Sequence, residues 1–245
     1  MMEAKNLSKT LPNGKLLLNG ISFSVSEGDV VGVLGLSGVG KTVLIRCLNA
    51  LTKPDSGSVV LGYDGGLDIT SCSGKRLKEA RRSIAMIFQS FNLMDRLSVL
   101  DNVLIGRLGY KGTFGSLFGR FTAEERESAL KALERLGVAE LAQRRAETLS
   151  GGEQQRVAIA RAIVQKPRVL LADEPVANLD PSTAETIMEY LERITMEDKL
   201  CTLVVLHQPY LMYKYCTKAL AIRDGVVCYD GPPLLTGEEL NAIYN

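Results

Sequence analysis

The sequence predicts an α/β fold with a parallel sheet, and three observations support this fold class. An apolar strand over residues 29–34 leads through a glycine-rich loop into a helical segment, Val43 to Leu48. A second strand, Pro167 to Ala172, is apolar at consecutive positions, as expected for a central parallel strand covered on both faces. Helical and strand segments over 36–88 and 157–223 complete the pattern of a parallel α/β core.

Two regions lie outside this predicted core. Residues 1 to about 35 and residues 58–63 contain strand-like stretches that alternate with turn residues, which indicates an antiparallel sheet beside the core. Residues 90 to about 148 are mostly helical in pattern, and Thr122 with Glu125 has the spacing of a capping box. We expect one domain over the whole chain of 245 residues, in which 90–148 form an inserted helical subdomain.

The composition sets limits on function. Lys and Arg number 29 against 28 Asp and Glu, so the net charge of +1 gives no sign of a nucleic-acid partner or a charged membrane-binding face. No apolar run is long enough to cross a bilayer, and residues 1–6 do not resemble a signal peptide. The cysteines are odd in number and lack metal-ligand spacing, which indicates reduced thiols: Cys47, Cys72, Cys201, Cys216 and Cys228. We therefore expect a soluble cytoplasmic protein.

The glycine-rich loop matches the phosphate-binding pattern G-x-x-x-x-G-K-[ST] at every fixed position. It consists of Gly35, Leu36, Ser37, Gly38, Val39, Gly40, Lys41 and Thr42. Glycines let the backbone curl, so that successive N–H groups point at phosphate oxygens where a helix begins. Lys41 would neutralise the β- and γ-phosphates, and the Thr42 hydroxyl is a ligand for Mg²⁺. A glycine-rich turn with a chance lysine is the alternative, but the strand before the loop and the helix after it argue against that.

Two carboxylates follow the second strand. Asp173, at its carboxyl end, would face the ligand crevice and hold Mg²⁺ through water. Glu174 is placed to orient the water that attacks the γ-phosphate, or to accept its proton. A strand that simply ends in solvated acids is the alternative, and the phosphate-binding loop in the same chain argues for the site.

A second anion-binding helix start is predicted at Ser150. Ser150 and Glu153 have capping-box spacing, so structure alone explains part of this motif. Gly151 and Gly152 leave bare backbone N–H groups at the start of the helix, however, and these suit an anion. Two phosphate-binding helix starts with one set of carboxylates indicate a site shared between two copies of the chain.

Together these motifs resemble the ATP-binding subunit of an ABC transporter, over residues 7–244. Leu149 to Arg156 is similar to the family signature, and Ala177 to Asp180 resembles the loop that lines the dimer interface. Gln89 follows an apolar strand, at the position of the family's glutamine loop. His207 is the only histidine and follows another apolar strand, where the family has its switch histidine.

The resemblance implies a role for each of these residues. The catalytic residues would be Lys41, Gln89, Glu174 and His207. The ligands of Mg²⁺ would be Thr42, Gln89 and Asp173. ATP would lie between the loop 35–42 and Leu11 of one chain and, from the other chain, Ser150, Gly151, Gly152, Gln154 and Asp180. Without the other motifs of the family, Gln89 would be interpreted as a surface residue and His207 as a buried histidine that is hydrogen-bonded to backbone. Asp180 would be interpreted as a helix cap before Pro181. For Asp180 we expect both roles.

Leu11 departs from the family pattern. The family usually has an aromatic residue here whose ring stacks on adenine, and stacking on a base contributes about 1–3 kcal/mol. Leucine offers apolar contact alone. We therefore predict weaker nucleotide binding and little preference for ATP over GTP, unless another aromatic side chain takes its place.

The segment 106–121 is rich in glycine and aromatic residues and contains Arg107, Lys111 and Arg120 but no acid. Three interpretations are open: an amphipathic segment on the membrane surface, a loop that receives a helix from a membrane partner, or a surface loop folded on its own aromatics. In the family this subdomain accepts short helices of the permease, which favours the partner contact.

A narrower resemblance is to the ATP-binding subunits of phosphonate importers, including phosphite-type importers. It rests on stretches within 7–14, 88–93, 106–121 and 230–244. The substrate does not touch such a subunit, so the substrate class rests on family association alone. The resemblance implies a homodimeric ATPase at the cytoplasmic face of the inner membrane. It would bind permease subunits and act indirectly with a substrate-binding protein, without a nucleic-acid partner.

Three other functions stay open at this point. A soluble ABC ATPase acting on DNA or ribosomes usually has coiled-coil insertions, tandem cassettes or basic extensions, and this sequence shows none. A cassette that gates another membrane protein, such as an exporter or a cell-envelope regulator, would contain the same residues. A nucleotide-binding regulator with little turnover is suggested by Leu11 alone, and the complete catalytic set argues against it.

Overall fold

The computed structural model describes residues 1–62, 66–111 and 121–244, which form two sheets and the helices around them. The strands are β1 Met2–Thr10, β2 Leu16–Val25, β3 Val30–Leu34, β4 Ser56–Leu61, β5 Leu67–Asp68, β6 Ile84–Ile87, β7 Val169–Ala172, β8 Cys201–Val205, β9 Lys218–Arg223 and β10 Val226–Gly231. The α-helices are α1 Lys41–Leu48, α2 Gly74–Arg82, α3 Val99–Leu104, α4 Ala123–Arg135, α5 Gly151–Ile163, α6 Pro181–Asp198, α7 Pro209–Tyr215 and α8 Gly237–Tyr244. Short 3-10 helices span Ile105–Tyr110, Ala139–Leu141 and Ala146–Thr148.

A 6-stranded sheet forms the centre of the fold, in the order β10-β9-β3-β8-β7-β6. Strands β9, β3, β8, β7 and β6 are parallel, whereas β10 pairs antiparallel with β9 at the edge. The predicted α/β class with a parallel core sheet is confirmed. Because parallel strands end at the same edge of a sheet, the residues that follow β3, β6, β7 and β8 meet there.

A 4-stranded antiparallel sheet, in the order β2-β1-β4-β5, accompanies the central sheet. The first part of this sheet, β1 and β2, ends at Val25, so the prediction that it extends to about residue 35 is wrong. The next strand, Val30–Leu34, is buried at every position and belongs to the central sheet. The prediction that the strand at 58–63 belongs to the antiparallel sheet is confirmed by the pairing of β4 with β1. The range 36–88 predicted for the core is wrong at β5, which pairs with β4 in the antiparallel sheet. Tyr63, the end of a predicted strand, lies outside the described residues.

Two apolar cores lie on opposite faces of the central sheet. Along β3, Val30 and Leu34 belong to one cluster, whereas Val31 and Val33 belong to the other, as the two-residue period of a strand requires. The first cluster includes residues of α3 to α7, and the second includes α1 and the antiparallel sheet. Helices or a second sheet therefore cover both faces, which explains why the central strands are apolar at consecutive positions.

The described residues between β6 and β7 are mainly helical, as the pattern of residues 90–148 predicts. The N–H of Glu125 donates to the Thr122 side chain and the Glu125 carboxylate accepts the N–H of Thr122, so the predicted capping box is confirmed. Residues 112–120, which make up most of the segment with the predicted partner contact, lie outside the described residues. Within the described ranges, no helix combines the length and the apolar character needed to span a membrane.

Candidate functional site

The loop between β3 and α1 depends on two glycines. Gly35 has φ +147°, and a Cβ there would lie 2.4 Å from the carbonyl oxygen of Ile222. Gly40, directly before α1, has φ +113°, and a Cβ there would lie 3.0 Å from the carbonyl oxygen of Leu17. Residues with a side chain rarely adopt these backbone angles, so glycine is required at both positions. The loop thereby brings the N-terminus of α1, a favourable place for an anion, to the edge of the central sheet.

Lys41 is the first residue of α1 and is only 5% exposed. Its Nζ donates hydrogen bonds to the carbonyl oxygens of Gly35 at 2.6 Å and Leu36 at 3.1 Å. Burial lowers the pKa of this amine, while the negative charges of Glu174 and Asp173 act in the opposite direction. The ammonium is thus held inside the loop and within electrostatic reach of both carboxylates.

Thr42 and Asp173 are in direct contact, since Thr42 Oγ1 donates to Asp173 Oδ1 at 3.2 Å. Asp173 follows β7 and is 6% exposed. Burial raises the pKa of this carboxyl group, Glu174 acts in the same direction, and the hydrogen bond from Thr42 opposes both.

The pair of Thr42 and Asp173 suits Mg²⁺. Hydroxyl and carboxylate oxygens are the hard ligands that this ion prefers, and it usually takes its other ligands from phosphates and water. Among the residues that the structure describes, no group of three or more His, Cys, Asp or Glu side chains could hold a metal. The geometry therefore fits an ion shared with phosphate oxygens better than a closed protein cage.

Glu174 has both of its carboxylate oxygens engaged. Gln89 Nε2 donates to Oε2 at 3.0 Å, and His207 Nε2 lies 2.7 Å from Oε1. Glu174 has φ +51°, in a left-handed region that non-glycine residues seldom adopt and that is frequent at functional sites. The structure thus brings together, from beyond the ends of β6, β7 and β8, the three side chains predicted to be catalytic alongside Lys41.

A cavity of about 360 Å³ lies beside the loop. Its lining residues are Leu11, Lys15, Leu17, Ser37, Gly38, Gly40, Lys41, Thr42, Val43 and Glu174. Leu11 therefore lines the same cavity as the loop, and no aromatic side chain is among these described residues. Sequence reasoning missed Lys15, Leu17 and Val43, because a strand or helix pattern gives no sign of which side chains will border a ligand.

The predicted second anion site, at the start of α5, lies apart from this group. The N–H of Ser150 donates to Glu153 Oε2 at 2.7 Å and Ser150 Oγ accepts the N–H of Glu153 at 3.4 Å, so this capping box is also confirmed. The Gln154 side chain donates to two backbone carbonyls of the preceding turn. Across the three described ranges, no hydrogen bond or ion pair connects Ser150, Gln154 or Asp180 with the loop 35–42.

Gly152 and Asp180 lie where α5 and α6 begin close to each other. A Cβ on Gly152 would lie 2.7 Å from Thr183 Cγ2, so helix packing also requires glycine there, whereas at the preceding Gly151 a Cβ would make ordinary contact. The Asp180 carboxylate accepts the N–H of Thr183 at 3.0 Å and caps α6. The predicted cap is confirmed, and the role of Asp180 in an interface stays a prediction.

Curated relatives resemble the chain over its full length. The Phosphonates import ATP-binding protein PhnC of Shouchella clausii is 48% identical over 245 residues, with 100% of this chain and 91% of the relative covered. The protein of the same name from Bdellovibrio bacteriovorus is 46% identical, with 100% and 93% covered.

Solved structures with the same fold include a dimeric bacterial ABC transporter cassette, with a TM-score of 0.81, 30% identity, and 96% of this chain and 100% of that chain covered. A dimeric cassette in a post-hydrolysis state, bound to ADP and Pi, has a TM-score of 0.81 and 31% identity, with 96% and 100% covered. The family model described as ABC transporter matches residues 18–177. The predicted nucleotide-binding domain fold is thus confirmed, and the chain belongs to the ABC transporter family.

Proposed function

We propose that the chain is the ATP-hydrolysing subunit of an importer for phosphonates or related reduced-phosphorus anions. The observation that most directly supports hydrolysis is the Glu174 carboxylate, held by Gln89 and His207 beside a phosphate-binding loop. The substrate class is supported by full-length relatives that are named as phosphonate import proteins. No residue of this subunit needs to contact the transported anion, so the relatives alone support that part of the proposal.

ATP binds with its phosphates on the loop 35–42 and its base near Leu11. The loop N–H groups and Lys41 stabilise the charge that develops on the phosphates in the transition state. Glu174 orients the attacking water and accepts its proton. His207 holds that carboxylate in place and can donate a hydrogen bond to the γ-phosphate.

Thr42 and Asp173 hold Mg²⁺, and the side-chain oxygen of Gln89 can supply a further ligand. When bound, Mg²⁺ neutralises charge on the β- and γ-phosphates. The Thr42 hydroxyl contacts Asp173, so the two protein ligands lie side by side.

A second copy of the chain completes the site. The start of α5 is an anion-binding helix N-terminus that is not connected with the phosphate loop of its own chain. A related cassette has been solved as a dimer. In the proposed sandwich, the γ-phosphate on one copy is approached by residues of the other, namely Ser150, Gly151, Gly152, Gln154 and Asp180.

A groove of about 560 Å³ suits a segment of a membrane partner. Its apolar lining includes Leu51, Leu77, Ile84, Met86, Phe88 and Ile105, and its cationic lining consists of Lys78, Arg81, Arg82 and Arg161. Gly106 and Gly109 line the same groove, which supports the partner-contact interpretation for the described part of 106–121. A short amphipathic permease helix with acidic residues on one side fits this chemistry.

The proposed assembly is peripheral to the inner membrane, on its cytoplasmic face. Two chains contact the permease, and the substrate-binding protein acts from the other side without touching them. ATP binds the closed dimer more tightly than the separated chains, and this difference in affinity drives the conformational change of the permease.

A trapped variant tests the proposal in the native cell. Tagged Glu174→Gln is captured with ATP, and co-purified proteins are identified by mass spectrometry. The expected result is an integral-membrane subunit with a periplasmic or lipid-anchored phosphonate binder. Glu127→Gln is the control, because Glu127 is exposed, pairs with Lys131 and is not among the predicted site residues.

The other outcomes separate the remaining functions. Recovery of ribosomes or nucleic acid would overturn the transport function while leaving the ATPase chemistry intact. Recovery of an exporter or a cell-envelope protein would move the chain to a different membrane partner.

A further inference from the structure

Arg161 lies on α5, the helix that begins beside Ser150, and its guanidinium binds backbone of the segment that follows Gln89. Nη2 donates to the carbonyl oxygen of Phe91 at 2.6 Å, and Nη1 donates to the carbonyl oxygen of Asn92. Within the described residues, Arg161 forms no ion pair with a carboxylate. Its planar fork is therefore committed to two neighbouring carbonyl groups.

Phe91 and Asn92 both have left-handed backbone conformations, with φ +54° and +51°. Such a conformation disfavours a bulky residue such as Phe91 by about 1–2 kcal/mol, whereas Asn tolerates it better, so the left-handed angle of Phe91 persists only when surrounding contacts impose it. The two hydrogen bonds from Arg161 are contacts of that kind. They fix the backbone only two and three residues after Gln89, whose amide lies on Glu174.

The Phe91 ring provides a second contact with the same helix. A Cβ placed on Gly151 would lie 3.9 Å from Phe91 Cζ, so the ring lies close to the first turn of α5. Gly106 packs against the helix at Arg161 itself, because a Cβ there would lie 2.2 Å from the Arg161 carbonyl oxygen. The segment 89–92 is thus attached to α5 near its start by the Phe91 ring and near its end by the Arg161 side chain.

We propose that Arg161 is a positioning residue that fixes the segment 89–92 to α5, so that Gln89 stays on Glu174 and moves together with the helix that begins at Ser150. The proposal depends on the proposed function for the roles of Glu174 and of the second chain's nucleotide. Arg161 does not touch the substrate. It acts through Gln89. In the proposed dimer, α5 of one chain approaches the nucleotide bound to the other chain, whereas Glu174 acts on the nucleotide bound to its own chain. Arg161 would connect these two nucleotide sites.

The test is a double-mutant cycle between Arg161→Lys and Gln89→Ala, measured by ATP turnover and by ATP binding. Lysine keeps the charge but cannot bind two carbonyls with one planar group. We expect kcat to fall about tenfold in Arg161→Lys, corresponding to about 1.4 kcal/mol, with KM and the Kd for ATP unchanged. In the Gln89→Ala background the same substitution should have no further effect on kcat, because Arg161 acts through the residue that is already missing.

Arg193→Lys is the matched control. Arg193 also donates to a backbone carbonyl, that of Arg135, but on a part of the surface away from the site. The Arg193→Lys variant should have the same kcat as the wild type. The proposal would be overturned if kcat of the double variant fell by the product of the two single-variant effects. A change in KM alone in Arg161→Lys would also overturn it.

Arg161→Gln is the second variant, since it keeps an N–H donor without a charge to bury. If both Arg161 variants lose cooperative thermal unfolding, the proposal is tested instead by amide hydrogen exchange in the Glu174→Gln variant. On addition of ATP, amides of 89–92 and of α5 should change protection together, and independent changes would overturn the proposal. Absence of ATPase activity in the wild type would instead contradict the proposed function, so the two failures are distinguishable.

Discussion

Glu174 Oε1 lies 2.7 Å from His207 Nε2, although 33 residues separate them in the sequence. The two side chains follow the neighbouring parallel strands β7 and β8, whose ends lie at one edge of the sheet. Gln89 reaches the other Glu174 oxygen from beyond β6. A carboxylate held from both sides can keep a water in line with a phosphate that is bound to the adjacent loop.

Glu174→Gln should abolish turnover while preserving ATP binding. Glutamine keeps the shape of the side chain but cannot accept a proton from water, and general base catalysis contributes about 100-fold or more. We expect a dimer that forms with ATP and persists, seen by light scattering, together with a loss of phosphate release. Turnover at the wild-type rate would refute the general-base assignment, and Glu127→Gln should behave as the wild type in both assays.

His207→Ala should lower kcat about 10- to 100-fold, because it removes the group that positions Glu174 and leaves the nucleophile misaligned. The Kd for ATP should change little, because the loop and the other residues that line the cavity beside it make most of the contacts with ATP, whereas His207 would add a single hydrogen bond to the γ-phosphate. Single-turnover phosphate release with saturating ATP measures the effect on chemistry. An unchanged rate would show that the imidazole contact is only structural.

Leu11→Phe should strengthen ATP binding. A ring at this position can stack on adenine, which adds about 1–3 kcal/mol, or roughly 5- to 150-fold in Kd. The wild type should bind ATP and GTP with similar Kd values, measured by calorimetry. A tenfold preference of the wild type for ATP would contradict the prediction, and Leu130→Phe, on the exposed side of α4, is the control.

Gly35→Ala should destabilise the chain far more than Gly28→Ala. Both glycines have positive φ, but a Cβ at Gly28 meets nothing within 4 Å, whereas at Gly35 it meets the Ile222 carbonyl oxygen at 2.4 Å. Backbone conformation alone costs about 1–2 kcal/mol, and the clash adds about 1–3 kcal/mol at Gly35 only. Urea unfolding of both variants measures the difference, and equal losses would argue against the close approach.

The two roles of Asp180, as the cap of α6 and as a proposed interface residue, can be tested separately. Asp180→Ala removes the cap of α6 and should cost about 1 kcal/mol of stability, whereas Asp180→Asn keeps a good cap. If the carboxylate also acts in the sandwich, Asp180→Asn should weaken ATP-driven dimerisation at unchanged melting temperature. Dimerisation like that of the wild type would leave the cap as the only role of this side chain.

The phosphate loop and the carboxylate strand could be predicted because their chemistry is local. Gly35 to Thr42 lie between a strand and a helix, and Pro167 to Ala172 are apolar at consecutive positions. The contacts of Glu174 with Gln89 and His207 are different, because residues distant in sequence become neighbours only through the order of the strands. Their positions were indicated by resemblance to a family, not by spacing.

Local patterns predicted sheet membership only in part. The pattern at 58–63 correctly predicts that β4 belongs to the antiparallel sheet, whereas β5 has only two residues, shows no pattern and joins this sheet through its pairing with β4. The same limit applies to Arg161, which appears in the sequence as one more cation on a helix. Its importance follows from the backbone of Phe91 and Asn92, and no local pattern predicts those left-handed angles.

His207 is the only histidine in the sequence. A histidine-selective NMR spectrum of the intact protein therefore contains a single imidazole, and its nitrogen shifts report the tautomer and hydrogen bonding at Glu174 without overlap. The protein thus contains its own spectroscopic probe at the Glu174 carboxylate, and nucleotide binding can be followed there without a foreign label.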